Sequence, residues 1–259
     1  MSTPEYLEMP TGEQIAVLAH RAEDRMKDKP GLFWLGGFKS AMTGTKASAL
    51  ARWAESEGMA ACRFDYSGNG FSDNGNFEDA TISLWLDQSL AVFDGYTQGP
   101  QIVFGSSMGG WLAVLLYMKL AARGDADRVS GLVPIAPAAD MTEALMWKLF
   151  PDEIRACIEE NGVWYRPSDY GDGDYPITGK LIEDGRKHLI LGEKIEVSCP
   201  VRILHGDCDP DVPWEHGLRL YNTLSGSDVT FTLIKNGDHR LSSQEEIARL
   251  IATAAGLAK

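Results

Sequence analysis

Short apolar runs alternate along the chain with stretches of helical periodicity. The runs predict strands over residues 15–21, 31–36, 60–65, 101–105, 129–136, 201–205 and 229–234. Several are apolar at every position, the pattern of strands covered on both faces. Helical patterns fill the intervals at residues 43–57, 81–96, 108–123, 214–224 and 242–255, with Gly58 and Gly124 closing two of them. This alternation predicts an α/β fold, a mostly parallel sheet with helices on both sides.

One segment breaks the rhythm. No core strand is predicted between residues 136 and 201. Helical patterns there span residues 141–150, 152–161 and 180–191, interrupted by Trp164, Tyr165 and a Gly/Asp-rich stretch at 168–173. The expectation is a helical lid insertion, residues 137–200, over the carboxyl ends of the strands. Residues 1–136 and 201–259 then form the core, and the whole is one domain.

Composition narrows the partners. The 259 residues carry 24 Lys and Arg against 37 Asp and Glu, a net charge of -13. Nucleic-acid binding needs cations to neutralise phosphates, so it is excluded as an expectation. Anionic membrane surfaces are disfavoured likewise. The acidity reads as solubility. The start, Met-Ser-Thr-Pro-Glu-Tyr, lacks a basic region followed by an apolar one. No apolar run approaches the roughly 18 residues of a membrane span. Cys62, Cys157, Cys199 and Cys208 form no C-x-x-C pair, so reduced, mostly buried thiols and a cytoplasmic location are expected.

The chemistry centres on Gly105-Ser106-Ser107-Met108-Gly109-Gly110. A predicted strand enters this turn and a predicted helix leaves it. That is the setting G-x-S-x-G requires. Small neighbours let the turn close, and the turn sets the Ser107 hydroxyl at a helix N-terminus, where developing negative charge is favoured. Ser106 occupies the x position and points elsewhere.

A serine needs a base, and the base an orienting carboxylate. The loop after residue 205 offers Asp207, Asp209 and Asp211, which periodicity alone does not separate. Among the histidines, His239 follows a strand and the loop Asn236-Gly237-Asp238, so it lies where catalytic groups collect. His205 is expected to be structural, His216 to be exposed in a first helical turn, and His188 to lie on the surface of the insertion. Asp238 is too close in sequence to orient its neighbour, and Asp140 is expected to cap the first insertion helix. The oxyanion donors are expected from Met108 and from the loop Leu35-Gly36-Gly37-Phe38, with Phe38 taken as the second donor and Gly37 beside it.

These residues resemble the α/β-hydrolase superfamily. The matching pieces are Leu35–Phe38, Gly105–Gly109, His205-Gly206-x-x-Asp209-x-x-Val212-Pro213, Asp238-His239, and Asp65-Tyr66-Ser67-Gly68-Asn69-Gly70-Phe71-Ser72. In that family the Asp of H-G-x-x-D-x-x-V-P is the triad acid, which selects Asp209. A closer similarity is to the abhydrolase-domain family of mitochondrial palmitoyl-protein thioesterases, also described as acyl-glucuronide esterases. It rests on Asn76-Phe77-Glu78, Thr81, Trp85, Asp87, Gly105–Leu112, Val212-Pro213-Trp214 and Asp238-His239-Arg240, with Gly44-Thr45-Lys46-Ala47, Gly162-Val163-Trp164 and Pro167-Ser168 as echoes. That family carries a transit peptide, whereas this chain starts almost directly on the domain, so a bacterial or cytosolic relative is expected.

The resemblance implies serine hydrolysis of an ester or thioester through an acyl-enzyme on Ser107, His239 and Asp209. It needs no metal or cofactor, and a fatty acyl thioester is the substrate it favours, on a small molecule or an acylated protein. Met141, Leu145, Met146, Trp147, Phe150, Trp164 and Tyr165 are candidate acyl-pocket walls, with Gly37 at the reacting end. Carbon–carbon hydrolases and cofactor-free haloperoxidases use the same triad. A ligand-binding protein on this fold is the non-enzymatic alternative, though no triad member is missing.

Overall fold

In the computed structural model, residues 3–72, 75–167 and 174–259 are described. The segment Gly31–Leu35 shows how the sequence pattern builds the core, because all five residues are buried. Leu32 and Trp34 join a cluster with Ala47, Leu50, Leu250 and Ala254, while Phe33 and Leu35 join another with Phe93, Trp111 and Leu112. Side chains alternate sides along a strand, so a run that is apolar throughout is what two covered faces demand.

The central sheet has eight strands, numbered here in chain order: β1 Glu5–Glu8, β2 Gln14–His20, β3 Gly31–Leu35, β4 Ala61–Phe64, β5 Gln101–Ser106, β6 Val129–Ile135, β7 Val201–Gly206 and β8 Val229–Ile234. Their spatial order is β1-β2-β4-β3-β5-β6-β7-β8. The pairs β1–β2 and β2–β4 are antiparallel and the rest parallel. Strand β1 has no counterpart among the predicted strands. It is a mostly exposed edge with Glu at both ends, so it carries no apolar run.

Helices α1 (Thr45–Glu57) and α7 (Gln244–Leu257) cover one face. Helices α2 (Ile82–Tyr96), α3 (Met108–Ala122) and α6 (Trp214–Thr223) cover the other. Every residue of α3 from Met108 to Tyr117 is buried, which explains its unbroken apolar character.

Among its described residues, the connection from β6 to β7 holds no strand of the central sheet. It opens with Asp140 at φ 56 and a π-helical turn, Thr142–Trp147, where a longer regular helix was expected. Such wide turns are rare and collect at functional sites. Helix α4 (Asp152–Asn161) matches its predicted bounds and ends on Gly162 at φ 78. The antiparallel hairpin Val163–Arg166 with Tyr175–Thr178 follows. Its four-residue strands are too short to register as a periodic signal, and residues 168–173 lie outside the described residues. Helix α5 (Gly179–Gly185) gives way to a 3-10 turn at Arg186–His188, so the helix expected over 180–191 is cut short. The cause is Asp140: its carboxylate accepts from the N–H groups of Ile190 (2.7 Å) and Leu191 (3.0 Å) and draws them out of any helix. Asp140 therefore ties the two ends of the insertion together rather than capping its first helix.

Trp111 is fully buried between sheet and insertion, and its Nε1–H donates to the His188 carbonyl at 3.1 Å. Leu149, also in the insertion, is 67% exposed. Trp111→Ala is expected to cost about 3–5 kcal/mol, and Leu149→Ala less than about 0.5 kcal/mol. Denaturant midpoints of the two variants check this, and equal losses would contradict it.

Candidate active site

Strand β5 turns into helix α3 through one residue. Ser107 has φ 55 and ψ -117, a strained conformation for a non-glycine residue. Its N–H donates to the Ile135 carbonyl at 2.8 Å, and its carbonyl accepts from Gly110 (2.9 Å) and Ala138 (3.1 Å). A side chain at Gly105 would strike the Gly109 carbonyl. One at Gly109 would strike the carbonyls of Leu35 and Gly36. The two glycines thus let the turn close and let β3 pack against it.

The three loop carboxylates separate by partner. Asp207 accepts from Lys235 Nζ (2.7 Å) and the Asn236 N–H (2.6 Å). Asp209 is buried. Its Oδ1 accepts from the N–H groups of Asp211 (2.9 Å) and Val212 (2.8 Å), and its Oδ2 lies 2.8 Å from His239 Nδ1. Asp211 lines the cleft above the serine. The loop turns rather than extends here, so alternate residues do not share a direction. Asp238 accepts from the Leu241 N–H at 3.0 Å.

His239 Nε2 lies 3.0 Å from Ser107 Oγ. An ionised carboxylate only accepts hydrogen bonds, so Nδ1 carries the proton, and Nε2 of the neutral ring is left to accept from the serine hydroxyl. Burial opposes the charge on Asp209, but hydrogen bonds from His205, His239 and the Val212 N–H outweigh it. They hold the carboxyl well below its ordinary range. It is therefore ionised throughout the neutral range.

The remaining histidines have other work. His205 is fully buried; its Nε2–H donates to the Val212 carbonyl at 2.9 Å and stands 3.5 Å from Asp209 Oδ2, so it shapes the acid loop. His216 is buried, not exposed. Its ring N–H donates to the Ala139 carbonyl at 2.6 Å, because α6 turns its first-turn side chain inward beneath the start of the insertion. Burial pushes the His216 pKa down. His188 is largely covered as well, 2.7 Å from Ser83 Oγ, which donates to Asp184.

Met108 opens α3, so its N–H has no carbonyl one turn earlier to bond. A Cβ added at Gly37 would come within 3.2 Å of the Ser106 carbonyl and 3.4 Å of Ser107 Cβ, so the Gly37–Phe38 loop lies against the serine. The Phe38 ring meets Phe77 edge-on at 5.0 Å and Trp85 at 5.8 Å, so its backbone has a rigid seat.

A cleft of about 160 Å³ opens above Ser107 and His239. Its apolar walls include Phe38, Met141, Leu145, Met146, Tyr175 and Ile177, with Arg166 and Asp211 as its charged groups. Four candidates lie elsewhere. Trp147 stacks under the Arg186 guanidinium, and Phe150 and Trp164 pack on each other at 5.3 Å. Tyr165 hydrogen-bonds Glu78. The π-helical turn rotates Leu145 and Met146 toward the serine and Trp147 away. Tyr175 and Ile177 were missed; their spacing of two on one hairpin strand was the available signal. Asp209, Asp211 and His239 gather three potential metal-ligand atoms within 4.8 Å, but Asp209 and His239 already bond each other.

Comparison with known proteins agrees with this architecture. The family model described as "Serine aminopeptidase, S33" matches residues 37–163. The human mitochondrial palmitoyl-protein thioesterase ABHD10 is 38% identical over 238 residues, covering 91% of this chain and 76% of that protein. A solved structure from Agrobacterium vitis S4 shares 41% identity at a TM-score of 0.93, covering 99% and 98% of the two chains. That of mouse α/β hydrolase domain-containing protein 10 shares 35% at 0.86, over the same fractions. Among the described residues, no helix is long and apolar enough to cross a membrane. On its sequence identity and its fold alike, the chain belongs to the ABHD10 family of α/β-fold hydrolases.

Proposed function

We propose that this chain hydrolyses carboxylic esters or thioesters through an acyl-enzyme on Ser107. The observation that carries the reading is the run of contacts Ser107 Oγ–His239 Nε2 at 3.0 Å and His239 Nδ1–Asp209 Oδ2 at 2.8 Å. His239 takes the Ser107 proton as the hydroxyl attacks the acyl carbonyl. Asp209, ionised and buried, stabilises the imidazolium and fixes the tautomer. The N–H groups of Met108 and Phe38 receive the oxyanion. His239 then gives that proton to the leaving thiolate or alkoxide, which departs as thiol or alcohol, and activates the water that frees the acid.

The acyl group occupies the apolar cleft, and residues 137–200 act as the lid that supplies most of its walls. Met141 and Met146 are flexible and polarisable, which suits walls that adapt to acyl chains. The named thioesterase activity of the relatives supports an acyl thioester, on a small molecule or an acylated protein, as the substrate class.

Ser107→Ala is expected to lower turnover of activated esters and acyl thioesters by about 10⁴-fold or more, with the circular dichroism spectrum unchanged. Unaltered turnover would sink the reading. A chain-length panel tests the acyl site. Leu145→Trp is expected to lower kcat/KM for the longest accepted acyl chain by about tenfold more than for acetyl. A uniform loss, or a wild-type preference for acetyl, would count against an acyl pocket at Leu145.

A further inference from the structure

Helix α1 begins with a charge in the wrong place for the helix itself. Lys46 is its second residue, and its first turn carries no acid. A helix N-terminus is the positive end of the backbone dipole, so a cation there is unfavourable. The lysine looks away from its own helix. Its Nζ donates to the Arg240 carbonyl, in the residue that follows His239. Asp238 and Arg240 face it from that loop, Glu246 from the first turn of α7, and Asp209 from beyond the imidazole.

The loop it reaches is a tight one. Asp238 accepts from the Leu241 N–H, Leu241 sits at φ 44, and the Leu241 side chain is buried between α1 and α7. Ser242 Oγ also donates to the Arg240 carbonyl at 2.9 Å, so the Arg240–Leu241 peptide is held at its N–H and its carbonyl from within the loop. Lys46 shares that carbonyl with Ser242 and ties the same peptide to α1, an element outside the loop. It is not among the residues lining the cleft.

We propose that Lys46 is a positioning residue, which holds the His239 imidazole against Ser107 by gripping the Arg240 carbonyl. The assignment rests on His239 being the base. Lys46 touches no substrate, so its removal lowers kcat and leaves KM in place. The tie has a pH signature. Burial, only partly offset by Asp238 and Glu246, brings the lysine pKa down to about 8. Above that pH the ammonium is lost, its grip on the carbonyl weakens, and kcat falls. The same shift has the opposite sign for stability. The unfolded chain holds this proton up to its ordinary value of 10.5, so stability rises with pH between the two values. At neutral pH the buried charge is a cost to the fold.

The experiment measures kcat, KM, the pH profile and melting temperature of Lys46→Met and Lys46→Arg. For Lys46→Met the expected result is a fall in kcat of about tenfold. Its KM should be unchanged, the alkaline limb near pH 8 gone, and the melting temperature at pH 7 equal to or above wild type. Lys46→Arg keeps a permanent cation, so it should recover most of kcat with the limb moved to higher pH. Wild-type kcat and limb in Lys46→Met would overturn the assignment, as would a kcat loss that tracks a drop in melting temperature. Ser107→Ala separates the levels. If it is inactive while Lys46→Met behaves as wild type, only the role of Lys46 falls; if it stays active, the base assignment falls too.

Discussion

The structure depends on a strand becoming a helix within one residue. Ser107 stands at φ 55 between β5 and α3. A residue held in such a conformation costs on the order of 1–3 kcal/mol. The surroundings offset this. Helix α3 is buried over its first ten residues, and each large apolar side chain withdrawn from water contributes about 1.5–3 kcal/mol. The helix cannot relax the turn without leaving the core. The absent side chains of Gly105 and Gly109 let the carbonyls of Gly109, Leu35 and Gly36 come close. The turn and the β3 loop are therefore one packed unit.

Parallel pairing does the rest of the assembly. Strands β7 and β8 run in register, with His205 opposite Leu233 and Gly206 opposite Ile234. The loops that follow leave the sheet side by side and zip together, Asp207 N–H to the Ile234 carbonyl and Cys208 N–H to the Gly237 carbonyl. Asp209 and His239 are thereby brought within hydrogen-bonding distance although thirty residues separate them. The ionised Asp209 is tolerated in a buried site because backbone N–H groups and two histidines share its charge. The proposed Lys46 tie uses the same logic at the far side of His239: a charge placed where the fold alone would not want it.

Much of this was legible in the residues. The βα rhythm, the G-x-S-x-G turn and the histidine after the last strand carry local signals that need no tertiary context. The resemblance, not the spacing, singled out Asp209 from Asp207 and Asp211. The cleft walls were less legible. Of the expected walls, Met141, Leu145 and Met146 line the cleft, while Trp147, Phe150 and Trp164 pack elsewhere. A π-helical turn shifts which side chains share a face, and no composition rule announces it. His216 was misread for a related reason: first-turn residues of α6 are ordinarily exposed, but here the Ala139 carbonyl waits beneath.

The sequence by itself determined the layers, the order of the chemistry along the chain and the residue types at the turn. These follow from side-chain periodicity and from backbone conformations that only certain residues adopt. Tertiary structure decided what no spacing in the chain could: how Asp209 is turned onto the imidazole, which insertion side chains line the cleft, and that Lys46 reaches the Arg240 carbonyl across 194 positions. Contacts between distant segments depend on sheet register and on how each loop leaves it, and neither is written in any local window of the chain.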